Sequence, residues 1–209
     1  MKRGVELAAR RYGRLCILLV LLLLIATNVS AEDSTDQQSA SNHKWFISVY
    51  SGPHADDTLT DMVIFDADYS DGNYVVVGAL GKEIYRYEQL VSIELEGQIG
   101  RHFGHKVDQW EFVSLALGRW HPFPWDEHVD TSFALGTGVS YYTEESQIEL
   151  EEDGEAQKFL GALAFELTFG LPQYPRWNLI FRIHHRSSAG SLLGTGSTNY
   201  LCGGIKFAF

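Results

Sequence analysis

The sequence predicts an all-β fold: an eight-stranded antiparallel transmembrane β-barrel of the outer-membrane kind. Three observations predict it. Short runs of period-two alternation fill the chain after residue 43, with no helix-period segment of useful length. Each run sets an apolar row against a polar, charged or small row. The chain also closes on GIKFAF, with Ile205, Phe207 and the terminal Phe209 on one strand face.

The first 31 of the 209 residues do not fit the pattern. Lys2, Arg3, Arg10, Arg11 and Arg14 form a basic lead, LCILLVLLLLIA (Leu15–Ala26) an apolar run, and Val29-Ser30-Ala31 a small-residue cleavage site. That is the layout of a secretory signal peptide cut after Ala31, and the run falls short of the ~20 apolar residues of a spanning helix. Its five basic residues and Glu6 carry a net +4, so cleavage takes the charge from −11 to −15. Such acidity argues against nucleic acid as a partner and against simple adsorption to an anionic surface. Cys16 leaves with the signal, so Cys202 stands alone and no intrachain disulfide forms. Residues 32–42 (EDSTDQQSASN) are polar and lack aromatics, which predicts a disordered lead-in before a barrel over 43–209.

The predicted strands follow in order. Lys44–Ser51 and Asn73–Lys82 are weakly patterned. In Leu90–Gly100, Val91, Ile93, Leu95 and Ile99 oppose Ser92, Glu94, Glu96 and Gln98. Gln109–Arg119 is less regular, with Val113, Leu115 and Leu117 sharing a face with Glu111. In Thr131–Tyr142, Phe133, Leu135, Val139 and Tyr141 oppose small residues. In Phe159–Leu171, Phe159, Leu163, Phe165, Leu167 and Phe169 oppose Ala162, Ala164, Glu166 and Thr168. Trp177–His185 and Asn199–Phe209 complete the set.

This alternation fits a lipocalin-like barrel with its apolar face inward, or a membrane barrel with that face outward to lipid. The membrane reading is favoured. Glu94, Glu96, Gln98, Arg119, Glu166 and Arg182 mix charges that can pair in a narrow lumen. Trp45, Trp110, Trp120, Trp125, Tyr141, Tyr142 and Trp177 fall near strand ends, where an interfacial girdle lies. With both termini periplasmic, the long acidic connections His54–Gly72 and Thr143–Lys158 lie outside and PQYP (Pro172–Pro175) makes a periplasmic turn. Trp120–Asp130 is a longer periplasmic connection than such barrels usually have. The acidic loops show no metal-ligand spacing.

Strand 7 runs outward and ends in FRIHHRSSAG (Phe181–Gly190). Continuing the alternation, Leu179, Phe181 and Ile183 face lipid, and so do His185 and Ser187, while Arg182 and His184 face the lumen. Counting back from Phe209 brings Asn199 to the same outer face. Three polar groups on a lipid-facing surface cost roughly 1–3 kcal/mol each, which asks for a function. A serine beside a base is a nucleophile in waiting.

The segment His185-Arg186-Ser187-Ser188-Ala189-Gly190, on the penultimate strand of such a barrel, resembles the motif of the lipid A 3-O-deacylases of the PagL type. The likeness continues into the closing strand and, more weakly, from Trp45 to Phe209. The resemblance implies an outer-membrane esterase that removes an ester-linked 3-hydroxyacyl chain from lipid A at the exterior barrel wall, with no metal and no cofactor. Ser187 would be the nucleophile and His185 its general base. Asn199 stands where that family has a Glu, and Ser188 where it usually has an Asn. Asn199 would then orient the imidazole through its carbonyl. Backbone N–H groups of Ser188 to Gly190, or the side chain of Arg186, would hold the oxyanion. The implied partners are lipopolysaccharide as substrate and outer-membrane lipid, and whether two barrels pair as a homodimer is left open. The alternative on the same scaffold is a non-catalytic structural or surface-binding barrel.

Overall fold

The computed structural model describes residues 45–57, 59–63, 67–152, 154–188 and 196–209. The expected signal peptide and lead-in, with Ala189 and Gly190 of the site motif, lie outside the described residues. Eight strands close a barrel in sequence order: β1 (Trp45–Ala55), β2 (Tyr69–Tyr87), β3 (Val91–Gly104), β4 (Asp108–Trp120), β5 (Asp130–Tyr142), β6 (Phe159–Gly170), β7 (Trp177–Ser187) and β8 (Ser197–Ala208). Every neighbouring pair is antiparallel, and β8 returns to β1 with Phe46 opposite Ala208 and Ala55 opposite Asn199. Closure leaves no unpaired edge, which hydrocarbon demands because it offers a free N–H or C=O no partner. Glycine makes the seam close. A Cβ on Gly204 would lie 2.1 Å from the Val49 carbonyl oxygen, and one on Gly52 1.8 Å from that of Leu201.

Side-chain alternation follows the expected faces along β3 and β5 to β8. Ile93, Leu95 and Ile99 are exposed while Glu94, Glu96 and Gln98 are buried. The exposed apolar band is the lipid surface of an outer-membrane barrel, with Trp45, Trp110, Trp120, Trp125, Tyr141 and Trp177 on its outside. Tyr142 is a correction to the expected girdle. Parity turns it inward, where it is buried and its hydroxyl lies 3.2 Å from that of Thr198.

Inside, Glu94, Glu96 and Glu166 balance Arg119, Arg182 and Lys206. Arg119 donates to Glu94 (2.8 and 3.0 Å), to Glu166 (2.6 Å) and to Ser132 (2.9 Å). Arg182 bridges Glu96 (2.6 Å) and Glu166 (2.8 Å), and also donates to the Tyr50 hydroxyl (3.1 Å). Three acids and three bases make the layer neutral, and dense hydrogen bonding offsets what their desolvation costs.

β4 departs from the outward-apolar rule. Val113, Leu115 and Leu117 point into the lumen with Glu111 and pack against Ala134, Ala162 and Ala164 of β5 and β6. Bulky side chains from one strand meet small ones from its neighbours, a complementarity that suits a narrow interior. Two short helices, unforeseen in the alternation, sit in the long outer connections: α1 (Leu59–Val63) between β1 and β2, and α2 (Gln147–Glu152) between β5 and β6.

Candidate active site

The outer end of β7 carries the site motif between β6 and β8. His185 pairs with Leu163 on one side and Asn199 on the other. Ser187 pairs with Gly161 and Ser197. Partners across a ladder share a face, so His185, Asn199, Leu163 and Ala55 form one row on the outer wall, and Ser187 begins the next. Gly161, opposite Ser187 on β6, has no side chain.

His185 Nδ1 lies 2.5 Å from Asn199 Oδ1, and Asn199 Nδ2 donates to the main-chain carbonyl of Asp57 at 2.8 Å. A carbonyl only accepts, so the amide group must face Asp57 and the amide oxygen must face the histidine. The proton of His185 therefore sits on Nδ1, and Nε2 is left as the base. His185, Asn199 and Ala55 all point outward yet are buried. Part of the cover is the β1–β2 connection, which brings Asp57 against Asn199. The expected burden of polar groups on a lipid face is thus relieved by mutual bonding and shielding. Ser187 is half-buried. Among the described residues no hydrogen bond joins it to His185 Nε2; the two residues stand one strand repeat apart, about 7 Å between their Cα atoms.

The anticipated oxyanion donors fare differently. Arg186 points into the lumen, on the opposite side of the sheet from Ser187, because it is one residue out of step. There it is fully buried, bonded to Glu149 of α2, the Gln157 carbonyl and Ser140 (3.1 Å), and it lies over the Tyr142 ring at 3.8 Å. It anchors the β5–β6 connection instead of facing substrate. The Ser188 N–H is spent on the Gly196 carbonyl at 3.1 Å, which among the described residues of the motif leaves the Ser188 hydroxyl as a donor. Gly190 lies outside the described residues.

Beneath the site, Glu111 accepts from His102 and His184 (2.8 Å each) and from Ser140 (2.6 Å). His184 is the lumen residue its parity predicted. Glu111, His102 and Glu149, which brace β7 from within, carried no sequence signal as a group. His102 and Glu111 meet on the β3–β4 hairpin, but their contact with His184, and that of Glu149 with Arg186, joins residues far apart in the chain.

A closed eight-stranded barrel with a lipid-facing apolar belt defines an integral outer-membrane protein, and this one carries a buried His–Asn pair on its outer wall. The model of the lipid A 3-O-deacylase (PagL) family matches residues 73–194, more than half of the chain, including the whole of His185–Ser188 and ending before β8. The chain belongs to that family and is an outer-membrane enzyme. The crystal structure of the outer membrane enzyme PagL is 9% identical, covers 78% of this chain and 99% of its own, and superposes with a TM-score of 0.53. Neisserial surface protein A (9% identity, 79% and 96% covered, TM-score 0.49) and the outer membrane protein OprG from Pseudomonas aeruginosa (13%, 80% and 96%, 0.42) are similar in fold. No curated protein sequence matches the chain.

Proposed function

We propose that this enzyme removes the ester-linked 3-hydroxyacyl chain from lipid A through Ser187 and His185 on the exterior barrel wall. The observation that carries the reading is the His185 Nδ1–Asn199 Oδ1 contact on the same outer row system as Ser187, which leaves Nε2 unprotonated on the nucleophile's side of the sheet. A lipid in the outer leaflet reaches this wall by lateral diffusion, with its acyl chain already in the apolar belt and its headgroup at the depth of Ser187.

Ser187 Oγ attacks the ester carbonyl as His185 Nε2 takes its proton. The tetrahedral intermediate collapses with cleavage of the bond to the sugar oxygen, which leaves as the alcohol after taking that proton. His185 then deprotonates water, which attacks acyl-Ser187, and the same proton passes to Ser187 Oγ as its bond to the acyl group breaks, which frees a 3-hydroxy fatty acid. Ser187 meets Nε2 by rotating on substrate binding, since catalytic hydrogen bonds often tighten only in the Michaelis complex. The Ser188 hydroxyl supplies an oxyanion donor where the resembled family has its Asn.

The test is to express the protein in cells that make unmodified lipid A and to weigh the extracted lipid A. One hydroxyacyl group should be lost. Ser187→Ala should abolish the loss while the barrel still migrates as a folded species in unheated gel samples. An unchanged lipid A mass with wild-type protein, where a known deacylase acts, defeats the proposal.

A further inference from the structure

We infer that the β1–β2 connection, through the main-chain carbonyl of Asp57, is a positioning element that selects the His185 tautomer. The inference rests on the proposed Ser187–His185 chemistry and deepens it. A carboxylate beside a histidine offers two equivalent oxygens, so its orientation does not matter. Asn199 is different: one end of its amide accepts and the other donates. A half-turn about its last side-chain bond would present Nδ2 to His185 Nδ1. The imidazole would then have to accept there and carry its proton on Nε2, the nitrogen required to be a base. An enzyme that uses Asn in this role needs something to hold the amide one way round.

Asp57 does so. Its carbonyl accepts from Asn199 Nδ2 at 2.8 Å, and the flipped amide would set oxygen against oxygen. The connection is itself tied at its neck, because the Asp57 carboxylate accepts the Asp68 N–H at 2.5 Å and the Asp56 N–H donates to the Asp68 carbonyl at 3.1 Å. Asp56 Oδ1 lies a further 3.2 Å from His54 Nδ1 in the lumen, which fixes the neck to β1. Ala55, opposite Asn199 in the ladder, begins this segment, so the carbonyl and the amide are held by one stretch of backbone.

The experiment compares wild type, Asp57→Ala and Asp57→Asn, and repeats Asp57→Ala in an Asn199→Glu background, using the full-length barrel in detergent micelles with lipopolysaccharide. Asp57→Ala keeps the main-chain carbonyl but frees the neck that aims it, by removing the tie to the Asp68 N–H, and should lower kcat about tenfold with KM little changed. Asp57→Asn keeps a side-chain oxygen for the Asp68 N–H and should retain activity. In the Asn199→Glu background Asp57→Ala should change kcat less than about twofold, because a carboxylate needs no orientation. Nitrogen NMR of His185 reads the tautomer without turnover, and Asp57→Ala should mix Nδ1–H with Nε2–H. An unchanged tautomer in Asp57→Ala, or an equal loss of kcat in both backgrounds, overturns the inference. A wild-type enzyme with no Ser187-dependent activity would instead sink the proposed chemistry, with the tautomer measurement still deciding the role of Asp57.

Discussion

Replacing Glu166 with Gln keeps the shape of the lumen and removes one charge from its neutral layer. Glu166 is fully buried and receives Arg119 at 2.6 Å, Arg182 at 2.8 Å and the Lys206 ammonium at 3.5 Å. Gln can accept at one atom only, and its amide group would point at a guanidinium. Three buried cations would then face two carboxylates. Breaking a buried pair from one side costs about 3–5 kcal/mol, much of it the penalty of the stranded charge. Urea unfolding in phospholipid vesicles, followed by tryptophan fluorescence, measures the loss. Neutrality can be restored by adding Lys206→Met, since Lys206 lies 3.5 Å from Glu166 and packs over the Phe46 ring at 3.7 Å. The double variant should recover at least about 1 kcal/mol. A Glu166→Gln barrel within about 1 kcal/mol of wild type, or a double variant weaker than the single, would refute the charge-balance account.

Two further outcomes test the frame around the site. A Cβ on Gly204 has no room beside the Val49 carbonyl, whereas one on Gly203 meets nothing within 4 Å. Gly204→Ala should therefore lower barrel stability by roughly 1–3 kcal/mol and Gly203→Ala should not, as read from urea midpoints. His121, in the connection after β4, is bonded to Ser92 Oγ at 2.9 Å, and its pKa is pushed down to about 4 by burial and by the nearby Arg86 and Arg119 charges. Its depressed folded value means the unfolded chain takes up the proton first as pH falls. Stability should be full above about pH 6.5 and decline toward pH 4 by roughly 1–2 kcal/mol after solvent screening, and His121→Gln should flatten that slope.

The likeness to a solved enzyme at 9% identity shows how little sequence the barrel needs. What must be kept is a face pattern, and that pattern is written locally. β3, β5, β6, β7 and β8 were legible because period-two alternation fixes which side chains share a face, and burial of one face then fixes register. β4 misled at the level of its apolar row, since alternation says which residues share a face but not which face meets lipid. Tyr142 misled for the opposite reason: an aromatic at a strand end looks like girdle until parity is counted.

By itself the sequence determined the strands, the outward facing of His185, Ser187 and Asn199, and the inward charges of β3, β6 and β7, because each is a matter of alternation along a strand. Only the tertiary structure decided that Glu94, Glu96 and Glu166 are matched by Arg119, Arg182 and Lys206, and that Arg186 serves α2 instead of substrate. The same holds for the Asp57 carbonyl that holds Asn199. A backbone oxygen leaves no mark in a sequence, and partners 142 residues apart are brought within hydrogen-bond reach only by closing the barrel.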